Sequence, residues 1–105
     1  MNANLISLTP FETEAIRTVL ASHCGITRAV LFGSRAKGTH RPNSDVDLAL
    51  EGSLEPLDVE QVTLDLDDLP LPYRFDLLLL DSIRSLPLRE HIQRVGKVVY
   101  ARDKL

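Results

Sequence analysis

Apolar residues recur along the chain either at helical spacing or in short continuous runs, and this pattern predicts the order α-β-β-α-β-α-β. The first helix begins after Thr9, because Pro10 suits a first helical turn and Glu12 can complete a capping box. Its apolar positions are Ala15, Ile16, Val19 and Leu20, and Gly25 lies just past its end. A run rich in β-formers at 28–32 then predicts a buried strand that stops at Gly33.

Two further strands and two helices follow a loop at 34–44, which could contain a helical turn beginning at Ser34 or Arg35. Residues 45–50 alternate between polar and apolar and predict the second strand, and 74–80 predict the third. Between them, one helical stripe is formed by Val59, Val62, Leu66 and Leu69. A short helix ending at Gly96 and a strand at 98–100 complete an α+β fold, a small mixed sheet with helices packed on one face. We expect a single domain over 1–105.

Charge and composition limit the classes of function. The chain has 12 basic and 15 acidic side chains and a formal net charge of −3, so bulk electrostatics does not bind it to nucleic acid or to an anionic membrane. Binding of phosphate must therefore be local. Apolar runs are too short for a transmembrane helix, and Met1 to Asn4 lack the features of a signal peptide, so we expect a cytoplasmic protein.

The segment after the first strand has the composition of an anion site. A strand that ends in Gly33-Ser34 and continues into a helical turn presents backbone amides at the positive end of a helix dipole. Gly33 lets a ligand oxygen approach the backbone, and Ser34 adds a hydroxyl donor. Three positive side chains follow closely: Arg35, Lys37 and Arg41. A loop with surface charges is the simpler interpretation of a lone Gly-Ser.

Two aspartates on the second strand favour the functional interpretation. Asp45 and Asp47 are two residues apart, so their carboxylates point to the same face of the strand. Like charges this close repel unless a cation lies between them, and carboxylates shared with substrate phosphates are typical ligands of Mg²⁺. A site for phosphoryl or nucleotidyl transfer also needs a third carboxylate. Asp76, inside an apolar strand, is the stronger candidate, and Asp81, at the strand's end, is its rival.

Together these residues resemble the signature of the nucleotidyltransferase superfamily of DNA polymerase beta: Gly-Ser, a spacer, Asp-x-Asp and a third aspartate on a later strand. The predicted elements come in the family's order over nearly the whole chain. Residues 32–48 are most similar to the minimal nucleotidyltransferases (MNT), which are small single-domain prokaryotic members. The resemblance implies the nucleotidyltransferase fold and transfer of a nucleoside monophosphate to a hydroxyl group with release of pyrophosphate.

The resemblance also implies roles for individual residues, with ATP as substrate and two Mg²⁺ ions as cofactors. The nucleotide-binding residues it implies are Gly33, Ser34, Arg35 and Lys37. The metal-binding and catalytic residues it implies are Asp45, Asp47 and Asp76, of which Asp76 would also help to deprotonate the acceptor. Lys37 stands where many members carry arginine, which changes the contact because lysine lacks the bidentate fork.

MNT proteins often pair with a helical HEPN protein as antitoxin and toxin, and some attach AMP to a tyrosine of the toxin. The resemblance therefore implies a HEPN partner and an antitoxin function. Two alternatives stay open: an enzyme that modifies a small molecule, and a non-catalytic subunit that neutralises its partner by contact. The size of the chain weakens the first, because antibiotic-modifying relatives carry an extra helical domain. The retained Gly-Ser and carboxylates weaken the second. Assembly into a homo- or hetero-oligomer is left open.

Two surface expectations follow from strand and helix periodicity. Leu78 and Leu80 share the face of Asp76, so we expect them to be exposed beside the site as a surface for a partner. His91 is expected on the exposed side of the last helix.

Overall fold

The structure is a computed structural model that describes residues 8–39, 41 and 44–102. The N-terminal residues and part of the predicted loop at 34–44 lie outside this range. The first helix, α1 (Pro10–Ala21), begins as its sequence predicts. The Thr9 hydroxyl accepts from the Glu12 amide, and the Glu12 carboxylate accepts from the Thr9 amide at 3.0 Å, so both halves of the capping box are present.

Four strands form one mixed sheet in the order β3-β2-β1-β4: β1 (Ile26–Phe32), β2 (Val46–Gly52), β3 (Phe75–Leu79) and β4 (Lys97–Ala101). β1 pairs antiparallel with β2 and β4, whereas β2 and β3 are parallel. A central position suits β1, because four consecutive residues, 29–32, are buried and cover both of its faces. β3 and β4 are the two edge strands.

Parallel pairing of β2 with β3 requires a crossover, and α3 (Pro56–Asp67) provides it. Of the predicted stripe, Val62 and Leu66 are fully buried. The helices α1 and α3 pack on one face of the sheet, where the larger core contains Leu31, Leu48 and Leu50. The expectation of helices on one face holds for these two helices.

The last helix, α4 (Leu86–Val95), lies on the opposite face. Its Ile92 forms a second core with Val30, Phe32 and Ala49, all of which belong to the other face of their strands. Leu78 and Leu80 pack against this second core and are half-buried, so the expectation that they form an open partner surface is wrong. The physical reason is that a 3-10 turn at Leu80–Ser82 leads α4 back over the sheet. Among the described residues, no helix is long and apolar enough to cross a membrane.

Candidate active site

A tight turn at Gly33 ends β1 and leads directly into a one-turn helix, α2 (Ser34–Lys37). Gly33 has a φ of +80°, a conformation that side chains other than glycine rarely adopt. A Cβ at this position would also collide with the Oδ2 atom of Asp47. Glycine is therefore required here for two reasons, its backbone conformation and the close approach of a carboxylate.

The register of the sheet brings two predicted carboxylates together. Asp47 on β2 pairs with Phe32 on one side and with Asp76 on the other. Residues paired across adjacent strands share a face, so the side chains of Asp47 and Asp76 are neighbours at the end of the sheet beside Gly33. Asp45 is exposed and immediately precedes β2. The structure thus groups Gly33, Asp47 and Asp76 at the same end of the sheet.

Asp47 is the electrostatic centre of this group. Burial is the largest cause of a raised pKa for its carboxyl, and repulsion by the carboxylates of Asp76 and Asp45 raises it further, to about 6. The other two aspartates predicted from the sequence are therefore both close enough to Asp47 to act on its carboxyl. A bound cation would reverse this effect, because positive charge favours the ionised form of each carboxyl.

Asp81 does not share this position. It lies in the 3-10 turn at Leu80–Ser82 and lines a separate cavity of about 410 Å³ with Arg28, Arg89 and Gln93. Within the described residues, no group of three or more histidine, cysteine, aspartate or glutamate side chains is arranged to hold a metal ion. The carboxylate pair of Asp47 and Asp76 is the part of the site with the oxygen donors that a hard cation needs.

Arg35 lies in the interior of the domain rather than facing solvent. Only 3% of it is exposed, and its guanidinium carbon lies 4.3 Å from the centre of the Tyr73 ring. Its Nε donates to the carbonyl of Ser44 at 3.1 Å, just before Asp45. The Tyr73 hydroxyl in turn donates to Glu12 at 2.8 Å. These contacts connect the loop before the aspartates to the start of α1.

The neighbouring residues of α2 are more accessible. Lys37 is exposed, and Ser34 is half-buried. The amides of Ala36 and Lys37 donate to the carbonyl of Gly33, both at 3.1 Å, so they are already used. Among the described residues, the Ser34 amide has no hydrogen-bond partner. The Ser34 amide and hydroxyl and the Lys37 ammonium are thus available to an anion beside Asp47.

His91 is a site residue that the sequence did not indicate. The expectation that it lies on the exposed side of the last helix is wrong, because it is half-buried and faces the Gly33 turn. Its Nε2 accepts a hydrogen bond from the Gly33 amide at 3.2 Å. Its ring meets Phe32 edge-on, with 6.3 Å between ring centres. The sequence feature that could have indicated this position is the neighbouring apolar residue Ile92. Burial of Ile92 orients α4 so that His91 lies beside the sheet.

Comparisons with known proteins show the family to which the chain belongs. The family model for "Polymerase beta, Nucleotidyltransferase" matches residues 14–105. A solved structure described as a minimal nucleotidyltransferase is 31% identical, with a TM-score of 0.67, and the match covers 83% of this chain and 88% of that one. No curated protein sequence matches the chain.

Two solved toxin–antitoxin structures share the fold. One, a toxin–antitoxin with AMP-PNP, has a TM-score of 0.71 and 26% identity over 87% of this chain and 74% of the other. The second contains a tri-AMPylated HEPN toxin from Shewanella oneidensis with its MNT antitoxin. It has a TM-score of 0.67 and 21% identity over 88% of this chain and 71% of that one. The family match and the 31% identical relative place the chain in the polymerase beta nucleotidyltransferase family, among the minimal nucleotidyltransferases.

Proposed function

We propose that this nucleotidyltransferase transfers AMP from ATP to a hydroxyl group of a partner protein, acting as a single domain over residues 1–105. The observation that carries the proposal is the register of Asp47 with Asp76 beside the Gly33 turn. This arrangement puts a pair of carboxylates next to the Ser34 hydroxyl and the Ser34 amide, which donates to no group among the described residues. This end of the sheet can therefore bind a triphosphate and receive an acceptor.

The carboxylates fit Mg²⁺, which usually binds proteins through one or two carboxylates and completes its shell with water and substrate phosphates. Asp47 and Asp76, with Asp45 beside them, would hold the ions. When bound, Mg²⁺ supplies positive charge that favours the ionised carboxylates and the negative charge that develops on the phosphates. Burial, followed by repulsion from Asp76 and Asp45, raises the pKa of Asp47 to about 6, and a bound cation would offset both costs, which supports this assignment.

The transfer itself is a substitution at phosphorus. The acceptor oxygen forms a bond to the α-phosphorus of ATP, and the bond from that phosphorus to the bridging oxygen of the β-phosphate breaks, so pyrophosphate leaves with the electron pair. The proton of the acceptor hydroxyl passes to a carboxylate, for which we propose Asp76. Ser34 and Lys37 would hold the phosphates. Arg35 would act on the nucleotide indirectly, because its guanidinium lies on Tyr73 and Ser44.

The comparisons support a protein acceptor. Among similar structures, one contains an AMPylated HEPN toxin with an MNT antitoxin, and another contains AMP-PNP in a toxin–antitoxin. We propose by this likeness that the partner is a helical HEPN protein, that the acceptor is a tyrosine, and that AMP transfer makes the chain an antitoxin. Such a pair would act in the cytoplasm.

Incubation with ATP, Mg²⁺ and a candidate HEPN partner, the product of an adjacent reading frame, tests the proposal. Intact-mass measurement is expected to show AMP added to the partner, with peptide mapping to a tyrosine. Asp47→Asn and Asp76→Asn should abolish the addition, whereas Asp81→Asn, the matched control from the same region, should retain it. Binding of the partner without any added AMP would instead support neutralisation by contact. Loss of transfer in Asp81→Asn alone would overturn the choice of Asp76.

A further inference from the structure

The row of paired residues that contains Asp47 and Asp76 ends at the outer edge of the sheet. Phe32, Asp47 and Asp76 lie side by side on β1, β2 and β3. β3 is the edge strand, and among the described residues no other strand pairs with its outer side. The next place in this row, about 5 Å beyond Asp76, therefore belongs to a strand that another molecule can supply.

The main chain of β3 has hydrogen-bonding groups for such a strand. The Arg74 carbonyl accepts from the Val46 amide at 2.9 Å, so Arg74 directs its groups toward β2. Successive residues of a strand direct their amide and carbonyl groups to opposite sides. The backbone groups of Asp76, two residues after Arg74, therefore also point toward β2. The outer edge is left with the amides and carbonyls of Phe75, Leu77 and Leu79. An exposed strand edge of this kind is a template for β-strand addition.

A groove runs along this edge on the α3 side of the sheet. It has a volume of about 420 Å³. It is lined by residues of α3 and of β3, most of them apolar: Val59, Glu60, Thr63, Leu64, Phe75, Asp76 and Leu77. Leu64 is 59% exposed and lies beside other apolar residues of the groove, so its side chain is accessible to a docked segment.

Charge indicates what kind of segment the groove receives. α3 contains no lysine or arginine. Among its acidic residues, Glu60 is exposed and lines the groove, whereas Asp58 accepts from the Glu55 amide and Asp65 bonds His23, both outside the groove's lining. A segment that lies along the groove therefore gains from basic side chains and is repelled if it is acidic.

We propose that the acceptor protein docks by β-strand addition: an extended segment pairs with the outer edge of β3, its hydroxyl-bearing residue lies opposite Asp76, and the residues on either side enter the α3 groove. A basic residue of the segment lies against Glu60, the acid of α3 that lines the groove. The inference rests on the proposed function and names how that site recognises its acceptor.

The alternation of side chains along a strand makes the two contacts compatible. A residue paired opposite Asp76 points to the face that carries the carboxylates, whereas its neighbours before and after point to the α3 face. One extended segment thus places a hydroxyl beside Asp76 and two apolar side chains near Leu64 and Leu77. A bound helix could not do this, because its side chains do not alternate between two faces.

Two exposed leucines on α3 allow a matched test. Leu64 lines the groove, whereas Leu57 is 74% exposed and lies outside it. Leu64→Lys puts a positive charge into the groove and pairs with Glu60 one turn earlier, so the helix is retained. With the helical partner as the varied substrate, we expect Leu64→Lys to lower kcat/KM by about tenfold or more and Leu57→Lys to change it less than about twofold. The KM for ATP is expected to be unchanged in both variants.

Hydrogen exchange tests the strand pairing directly. Binding of the partner should slow exchange of the amides of Phe75, Leu77 and Leu79, which face outward in the protein alone. If the wild type adds AMP and Leu64→Lys adds it equally fast, the groove proposal is wrong while the proposed function stands. If the wild type adds no AMP to any partner, the proposed function itself fails. Slow exchange of these amides in the protein alone, from residues 1–7 or a second copy, would also overturn the groove proposal.

Discussion

The Asp47 carboxylate lies where the Cβ atom of a side chain at position 33 would be. Asp47 can therefore adopt this position only because residue 33 is glycine. The glycine of the motif is usually explained by the approach of a ligand to the backbone. In this protein it is also explained by the approach of a carboxylate from the neighbouring strand. The two halves of the motif, Gly-Ser and Asp-x-Asp, are therefore one packed unit.

Replacing Gly33 with alanine should damage both stability and transfer. The backbone at φ +80° and ψ −156° is unfavourable for a side chain, and the new methyl group displaces the Asp47 carboxylate. We expect the free energy of unfolding to fall by about 1–3 kcal/mol. Transfer of AMP should fall more than stability accounts for, because Asp47 no longer aligns with Asp76. Urea denaturation and intact-mass assays measure the two effects.

Gly38→Ala is the matched control. Gly38 also has a positive φ, +84°, but a Cβ there meets nothing within 4 Å. We expect a loss of about 1–2 kcal/mol from the left-handed backbone alone, with transfer retained at permissive temperature. Equal losses of transfer in the two variants would contradict a specific relationship between residue 33 and Asp47.

A second prediction concerns pH. The pKa of Asp47 is raised to about 6 in the folded protein, above the ordinary value that the unfolded chain keeps. The folded protein thus holds this proton more tightly, so the stabilisation from Asp47 is complete below about pH 4 and is lost as the pH rises through about 6. Without divalent cations, the wild type should lose about 1 kcal/mol over this range, a value reduced for partial exposure.

Asp47→Asn removes the titrating group and keeps the shape of the side chain. Its stability should not show this loss, so above about pH 7 the variant should be more stable than the wild type by about 1 kcal/mol when no cation is present. Denaturation curves at several pH values in the presence of a chelator decide the point. The same fall in stability for both proteins would show that another group titrates.

Local patterns in the sequence were enough to predict most of the fold and much of the motif. The capping box at Thr9 and Glu12 and the apolar run of β1 depend on neighbouring residues, and both are present in the structure. The spacing of Asp45 and Asp47 is likewise a local property of the sequence. The order of the main elements was predicted from such patterns and is confirmed by the structure. The family was predicted from the resemblance of Gly-Ser and Asp-x-Asp to its signature and is confirmed by the comparisons.

Features that depend on distant packing were not predictable in this way. The face on which α4 lies is decided by the 3-10 turn before it and by contacts of Ile92 with β1. The apolar character of Ile92 indicates that it is buried, but not against which face of the sheet. His91 contacts Gly33 across 58 positions of the chain. Arg35 has the sequence context of a phosphate ligand, but contact with Tyr73, far away in the chain, draws it into the interior.

A third prediction separates the two cations of α2. Arg35→Met removes the guanidinium from the Tyr73 ring and from the Ser44 carbonyl, so we expect a loss of about 2–3 kcal/mol in the free energy of unfolding. Lys37→Met changes an exposed side chain and should alter stability by less than about 0.5 kcal/mol, but it should raise the KM for ATP. Urea denaturation and steady-state kinetics distinguish the two roles. Unchanged stability in Arg35→Met would contradict an interior anchoring role.

The last prediction tests the contact between α4 and the Gly33 turn. His91 accepts from the Gly33 amide through Nε2, which requires a neutral ring protonated at Nδ1. His91→Gln offers a side-chain oxygen close to the position of Nε2, whereas His91→Phe keeps a ring against Phe32 but provides no acceptor. We therefore expect His91→Phe to lower the free energy of unfolding by about 1 kcal/mol and His91→Gln to stay near the wild type. Hydrogen exchange at the Gly33 amide should quicken in His91→Phe and be restored in His91→Gln. Exchange that is equally slow in all three proteins would show that the amide is protected by the turn itself, and His91 would then have no part in positioning Gly33 beside Asp47.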